Sequence, residues 1–551
     1  MRIQIVLGTV LSALLLAMTP VNASAAPGTS EPANPSRSAR AQEALAQAKG
    51  LFRDRSGAQD RRAGRRTTDG GDAEHASIVL RDLALSLDDL DAEDRRLARR
   101  ILARPTDGKQ DPGQNGYLPG TPTDYRCSEI AEICLHWVTD PKQVEPDYDA
   151  GIDGDAPDLT DSDGNGVPDW VAQNQKVFEQ VWHRIMYQLG YRAPLSDDTA
   201  NEHGPNEYTD IYLAELGQWG MYGYCTVDDE SVAAQSPAYC VVDDDFEGFT
   251  AGPEQSLRVT AAHEFFHAVQ FAYNVYGDYW LMEGTAAWVE DEVFDDINDN
   301  LQYLSRSALR FPAAPLDFVD PADFNWVYGS WIWWRFLTEY FSVDGERDPY
   351  VIRQVWQRLA ADGPAEGSLE AVRNVLARRG TPFRNVFAEF GAMNRIAQRW
   401  YDEGRSYGRY VAAPAGRFTI TKNRPGTGWK GTQLSHLSTQ HAIVRPGKGL
   451  LNGPWQLRVQ LDLPDWSRGS MASIVVHRTN GSIEHRPVRL SARGNAQVKV
   501  PFNKRRISHV ALALTNASSR IADCGSGTIW TCGGRPVDDD LPFAFRARAF
   551  R

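Results

Sequence analysis

The chain is poor in cysteine, with six in 551 residues, and no two of them form a CxxC pair. That removes the usual thiolate frame of a zinc finger or redox motif. Past the N-terminus no segment is apolar for long enough to cross a bilayer; the richest stretch, Trp331 to Leu337, is interrupted by Arg335. No repeat of solenoid period is visible. Residues 26–114 are almost free of aromatics and rich in Ala, Arg, Asp, Ser and Gly, a composition that does not build a core of its own. Positive charge is scarce where negative charge is dense: residues 139–300 hold 34 Asp or Glu against five Lys or Arg, whereas 416–551 hold seven against 21. The net charge of -14 averages over two opposite fields, so the last segment is expected to pack against, or steer substrate towards, the middle one. No nucleic-acid motif accompanies the basic residues, and no nucleic-acid partner is expected.

What is present begins with a leader. Met1-Arg2-Ile3 is a short basic start, Val6 to Met18 is apolar, and Ala23-Ser24-Ala25 suits a signal peptidase. Residues 1–25 therefore read as a secretory signal peptide, and the protein as secreted and extracellular. In that compartment the cysteines, which fall in local pairs, are expected as disulfides: Cys127 with Cys134, Cys225 with Cys240, Cys524 with Cys532. Residues 26–115 then read as a pro-region, largely disordered or helical, with an amphipathic helix near Ile78 to Leu102. Residues 30–66 carry nine Lys or Arg against four Asp or Glu, so a basic pro-segment lying over an acidic catalytic domain, as in a zymogen, is set beside a plain disordered linker.

His263-Glu264-Phe265-Phe266-His267 is an HExxH pattern. On a helix, residues four apart lie one turn apart on one face, so both imidazoles can reach one ion. A catalytic zinc needs three protein ligands, an open position and a nearby base, and Glu264 is placed to be that base. The flanks support a helix over Gln255 to Tyr276, with Pro253 in its first turn and Gly277 as a stop. Downstream, Glu283 starts a second helix on which Ala287 and Glu290 share its stripe; Glu283 is the candidate third ligand and Glu290 the acceptor for a ligand histidine. The bland alternatives are an acid favoured by a helix N-terminus for Glu283, a satisfied histidine pair for His263 and His267, and a surface acid in an acidic run for Glu290.

This pattern, followed by Trp280-Leu281-Met282-Glu283-Gly284, resembles the gluzincin arrangement, including the WLxEG segment of the zinc aminopeptidases. The resemblance implies Glu283 as third zinc ligand and, more loosely, Glu290 beside a ligand. Cys134-Leu135-His136-Trp137-Val138, the acidic loop Asp161 to Asp169 and Tyr328-Gly329-Ser330 further resemble a family of uncharacterised secreted bacterial proteins classed as metalloproteases. No GxMEN-like exopeptidase motif precedes the zinc helix, so aminopeptidase activity is not carried over.

Asp161-Ser162-Asp163-Gly164-Asn165-Gly166-Val167-Pro168-Asp169 alternates oxygen-bearing side chains around glycines, as DxDxNG calcium loops do. Asp161, Asp163, Asn165 and Asp169 are its candidate calcium ligands, although Ala172 stands where an EF-hand has a bidentate Glu. Runs at Asp243 to Asp245 and Asp295 to Asp299 are further calcium candidates. Asp210 to Leu216 reads as a strand that could pair with an extended peptide. Ser330 to Phe341, Pro349 to Ala361 and Leu369 to Arg378 read as helices, and Tyr328, just before them, is a candidate for stabilising an oxyanion. His136 and His183 have no ligand spacing and are expected to be structural. From 416 on, short runs such as Leu457 to Leu461, Ser473 to His477, Ala496 to Val500 and Val510 to Leu514 read as a β-sandwich.

The expected architecture is an α+β zincin-like metallopeptidase domain over 116–415 followed by an all-β sandwich over 416–551. The expected function is zinc-dependent cleavage of protein or peptide substrates by a monomer with structural calcium. An exopeptidase and a non-catalytic calcium-stabilised surface protein are the alternatives.

Overall fold

A computed structural model describes residues 36–52, 75–107, 117, 120–140, 154–198, 200, 204–228, 232–249, 251–320 and 323–551. The leader over 1–25 and the basic stretch 53–66 lie outside the described residues.

Among the described residues three α-helices come first: α1 (Arg37–Leu51), α2 (Ala76–Leu85) and α3 (Ala92–Ile101). Where one helix was expected near Ile78 to Leu102 there are two, because Asp91 accepts the amides of Glu93 and Asp94 and so starts α3 afresh. Strands β1 (Thr123–Ser128) and β2 (Ile133–Val138) follow, then α4 (Asp169–Trp182), β3 (Thr209–Ala214), β4 (Gly223–Val227) and β5 (Ala238–Asp243). They form one mixed sheet in the order β1-β2-β3-β5-β4, parallel through β2, β3 and β5 and antiparallel at both edges. The strand expected to receive a peptide, β3, is thus interior, with both sides paired; the edge beside the HExxH helix belongs to β4.

Strands β2 to β5 are buried along their whole length, so their side chains alternate between two covered faces. Leu135, Trp137, Ile211, Leu213 and Val242 face α4 and the long helix α5 (Pro253–Tyr273). Val138, Tyr212, Tyr224, Tyr239 and Val241 share a second core with Leu45, Leu80, Leu83, Leu87 and Ile101 of the N-terminal helices. The described residues of this segment, 36–52 and 75–107, share a core with one face of the sheet. Arg104 ties them to it by charge. Its buried guanidinium sits among Asp197 (2.7 Å), Asp210 and Asp228.

After α5 come α6 (Tyr279–Val293), α7 (Trp331–Tyr340), α8 (Tyr350–Leu359), α9 (Ser368–Arg378) and α10 (Phe383–Asn394). Arg335 does not merely interrupt an apolar run: it is buried against Asp291 and Glu292 of α6. Gly284 lets α6 and α7 approach, because a Cβ there would stand 2.1 Å from Ser330 Oγ and 2.7 Å from Trp334 Nε1.

Nine later strands, β6 (Gly416–Ile420), β7 (Gly426–Leu434), β8 (Ser438–Pro446), β9 (Gln456–Asp462), β10 (Ser470–Arg478), β11 (Ile483–Pro487), β12 (Asn495–Pro501), β13 (Ile507–Asn516) and β14 (Leu541–Phe550), make two sheets, and the short segments Ile521–Ala522 and Arg535–Pro536 pair separately. The two sheets have the orders β11-β10-β13-β8-β6 and β12-β9-β14-β7, and they face each other across one apolar core. The outer side of the first sheet packs on α10: Ile443, Val475, Ala511 and Ala513 belong to the core that holds the helices. Residues 36–551 form one compact unit. The last segment packs against the middle one, as the opposite fields suggest, with ties such as the Cys532 amide to Asp278 and the Trp280 indole to Thr531, while Arg468 and Arg520 pair with Asp538 of their own layer.

The three disulfides pair as expected; Cys127–Cys134 and Cys225–Cys240 each link directly opposed residues of neighbouring strands. Among the described residues, no helix is long and apolar enough to cross a membrane. Gly284→Ala should force α6 and α7 apart and cost about 1–3 kcal/mol, read as a fall in melting temperature.

Candidate metal centre

Helix α5 is buried on every side from Val259 to Tyr273, which is why its sequence shows little polar-apolar periodicity. Gly252 and Pro253 open it, and Asn274, extended at φ -169°, ends it. Asp278 then turns the chain into α6, which crosses α5 so that Glu283 faces both histidines.

One oxygen of Glu283, Oε2, lies 3.1 Å from His263 Nε2 and 3.5 Å from His267 Nε2. Ligand atoms of all three residues fall within 4.8 Å of one another, and all three side chains are buried. Among the described residues, His267 Nε2 and Glu283 Oε1 have no hydrogen-bond partner, which is costly for buried polar atoms unless something else meets them. The far ring nitrogens are well held. Glu290 Oε1 takes His263 Nδ1 at 2.6 Å, and Gln270 Oε1 takes His267 Nδ1 at 2.8 Å. Gln270 is oriented in turn, since its Nε2 donates to Met282 O and Thr285 Oγ1. The acceptors at both Nδ1 atoms suit the Nδ1–H tautomer, in which each ring would turn its Nε2 lone pair inward, as a metal ligand requires. Two imidazoles and a carboxylate, with unmet inward atoms, fit a divalent metal ion.

The same carboxylates also favour a proton at this position: burial works against an imidazolium at His263, but Glu283 and Glu290 hold its pKa well above the ordinary range, so a metal ion would have to displace the proton on Nε2. Burial would raise Glu283, yet the two imidazoles overcome it and hold that carboxylate well below its usual range, while burial pushes Glu290 up to about 7. The site thus has one firmly ionised carboxylate facing two nitrogens.

Glu264 lies alongside, 5% exposed, and lines a cleft with His263, Glu290, Tyr222, Tyr303 and Tyr328. The edge strand reaches this cleft at Gly223, where a Cβ would stand 3.1 Å from Glu264 Cγ. Tyr328 is brought to the cleft as expected, stacked on His263 with ring centroids 5.6 Å apart. Two further participants escaped sequence reasoning. Gln270 is three residues past His267 on the same helix, so the spacing could have revealed it. Ser77 had no signal at all: its hydroxyl donates to Glu264 Oε2 at 2.7 Å and accepts the Cys225 amide at 2.8 Å.

The other expected sites fare differently. Asp161 and Asp163 meet at the Asn165 amide, which donates to both, Asp161 also accepts the Gly166 amide, and Asp169 accepts from Ser162. Asn165 Oδ1 takes the Val167 amide. Asp295 pairs with Arg347, and Asp296 lies near Arg258. Among the described residues the second gathered group is Asp243, Asp244 and Asp245. His136 is structural, bound to Asp210 at 2.7 Å, and His183 is exposed.

No family model matches the chain, and no curated protein does. One solved structure that matches is CorA, a surface-associated copper-binding protein important in copper acquisition by Methylomicrobium album BG8. It is 11% identical, covers 25% of this chain and 98% of its own, and has a TM-score of 0.15, too low to bear on fold or metal.

Gln270→Ala should loosen the His267 ring and weaken metal affinity roughly 10- to 100-fold, as should Glu290→Ala at His263. Competition with a chromophoric chelator measures both. Affinities unchanged in both variants would remove the orienting role given to them.

Proposed function

We propose that the chain is a secreted zinc-dependent endopeptidase of zincin type, acting on protein or peptide substrates. The observation that carries this reading is the convergence of His263, His267 and Glu283 beside Glu264 in a cleft that ends at β4, the terminal strand of the sheet. Zinc, when bound, supplies Lewis acidity that polarises a carbonyl and makes a water more acidic at neutral pH. Glu264 is the group that takes the water's proton on its carboxylate and returns it to the leaving amine nitrogen. Tyr328 offers its phenol to the carbonyl oxygen as charge develops there. An extended substrate would add to the outer edge of β4, with Gly223 letting its backbone pass close to Glu264.

In the intact chain that edge is engaged. Cys225 and Cys240 are an opposed pair, and the Cys225 amide points away from β5 to Ser77 at the start of α2. Ser77 bridges this amide and Glu264, while Arg81 of α2 donates to the carbonyls of Val275 (3.1 Å) and Gly277 (2.9 Å) between the two metal helices. Helix α2 thus holds both the base and the substrate edge, which supports a latent precursor.

Glu264→Gln should retain zinc while turnover of a protein substrate falls by ~10²–10⁴-fold. Bound zinc with equal turnover in both forms would overturn the mechanism. End-blocked peptides should be cut as well as free ones; cleavage confined to free α-amines would favour an exopeptidase, and none with either would favour a surface protein. Latency has its own readout: activity of secreted material should rise as its N-terminus moves from near Ala26 to beyond Asp107. Full activity with a start near Ala26 would sink the precursor reading.

A further inference from the structure

At the C-terminal end of β5, Asp243, Asp244 and Asp245 bring carboxylate oxygens within 4.8 Å of one another. Asp243 and Asp245 are partly satisfied by amides: Leu216 (3.0 Å) and Phe246 (2.6 Å) donate to the first, and Glu247 (2.6 Å) to the second. Asp244 is different. It is 1% exposed, and among the described residues neither of its carboxylate oxygens has a hydrogen-bond partner. The charges that act on it most strongly are all negative, from Asp243, Glu215, Asp245 and Asp155. A buried, unpaired carboxylate among four others is strongly unfavourable unless a cation meets it.

We infer that Asp243, Asp244 and Asp245, with Glu215 and Asp155 around them, hold a calcium ion. The donors are all hard oxygens, the type that calcium takes in sets of six to eight, and soft nitrogen or sulfur ligands are missing from the group. Burial and the neighbouring acids push Glu215 up to about 8, in keeping with a pocket that lacks its counter-charge. The ion would fasten three segments: the end of β3, the segment around Asp155, and the turn from β5 into α5. That turn carries Phe246 and Phe249, and Phe249 packs on Tyr222 with centroids 3.8 Å apart, directly before the edge strand and the cleft. The inference stands on the acidic pocket alone and does not need peptidase activity.

Trp170 makes the site testable in the full chain, because its indole N–H donates to Asp244 O at 2.5 Å and the ring lies close enough to sensitise terbium. Terbium added to the chelator-treated protein should give tryptophan-sensitised emission that calcium displaces. Asp244→Asn should abolish that emission, and Asp163→Asn in the neighbouring loop should leave it. Saturating calcium should raise the melting temperature on the order of 5 °C in wild type and not in Asp244→Asn. In chelator, Asp244→Asn should melt no lower than wild type, since it removes a repelled charge, and this shows that the variant folds. Should it not fold, Glu215→Gln replaces it in the same comparison. Emission that survives Asp244→Asn but is lost with Asp163→Asn would place the ion in the Asp161–Asp169 loop and overturn the inference. Absence of emission from wild type would overturn it too.

Discussion

Where α5 crosses α6, two imidazoles and two carboxylates are buried together, and the surrounding architecture is arranged to keep them so. Ionised groups leave water only at large cost, and that cost is recovered here through mutual pairing and through inward atoms suited to a metal ion. The crossing tolerates no slack. Gly284 admits α7, Ser330 of that junction donates to Trp280 O at 2.6 Å, and Arg335 absorbs the acids of α6 that face away from the histidines. The acidic run Glu290-Asp291-Glu292 is therefore divided between two tasks on two faces of one helix.

The same demand explains the N-terminal lobe. Its helices cover the sheet face that α4 and α5 leave open, and Arg104 enters a pocket of three aspartates that would otherwise repel one another. Removing one member of such a buried set typically costs about 3–5 kcal/mol, so the lobe is bound by more than a surface contact. The segment that reaches Glu264 belongs to this lobe. A single hydroxyl, that of Ser77, joins the edge strand to the candidate base.

The sandwich completes the unit from the other side. Its first sheet presents small and apolar residues to α10, and polar ties run from Asp317 to His436 (2.8 Å) and Thr531 (2.8 Å), and from Asp278 to the Cys532 amide (2.6 Å). Asp278 stands at the start of α6, so the last segment of the chain also braces the helix that carries Glu283.

Much of this was legible in the sequence, because the relevant signals are local. Motif spacing with helix start and stop signals placed His263, Glu264 and His267 on one helix and Glu283 and Glu290 on the next, and short spacing paired the cysteines correctly. Alternating runs marked the sandwich strands. Tertiary structure alone decided the rest. Ser77 lies 187 residues from Glu264, and no pattern in either neighbourhood reports a contact made by packing α2 against an edge strand. Strand order made β4, not β3, the edge strand. Among the acidic runs, motif spacing favoured the exposed loop at Asp161 to Asp169, whereas burial singled out Asp244. Local spacing determines which side chains share a face; only the packed fold decides which charges lose their water.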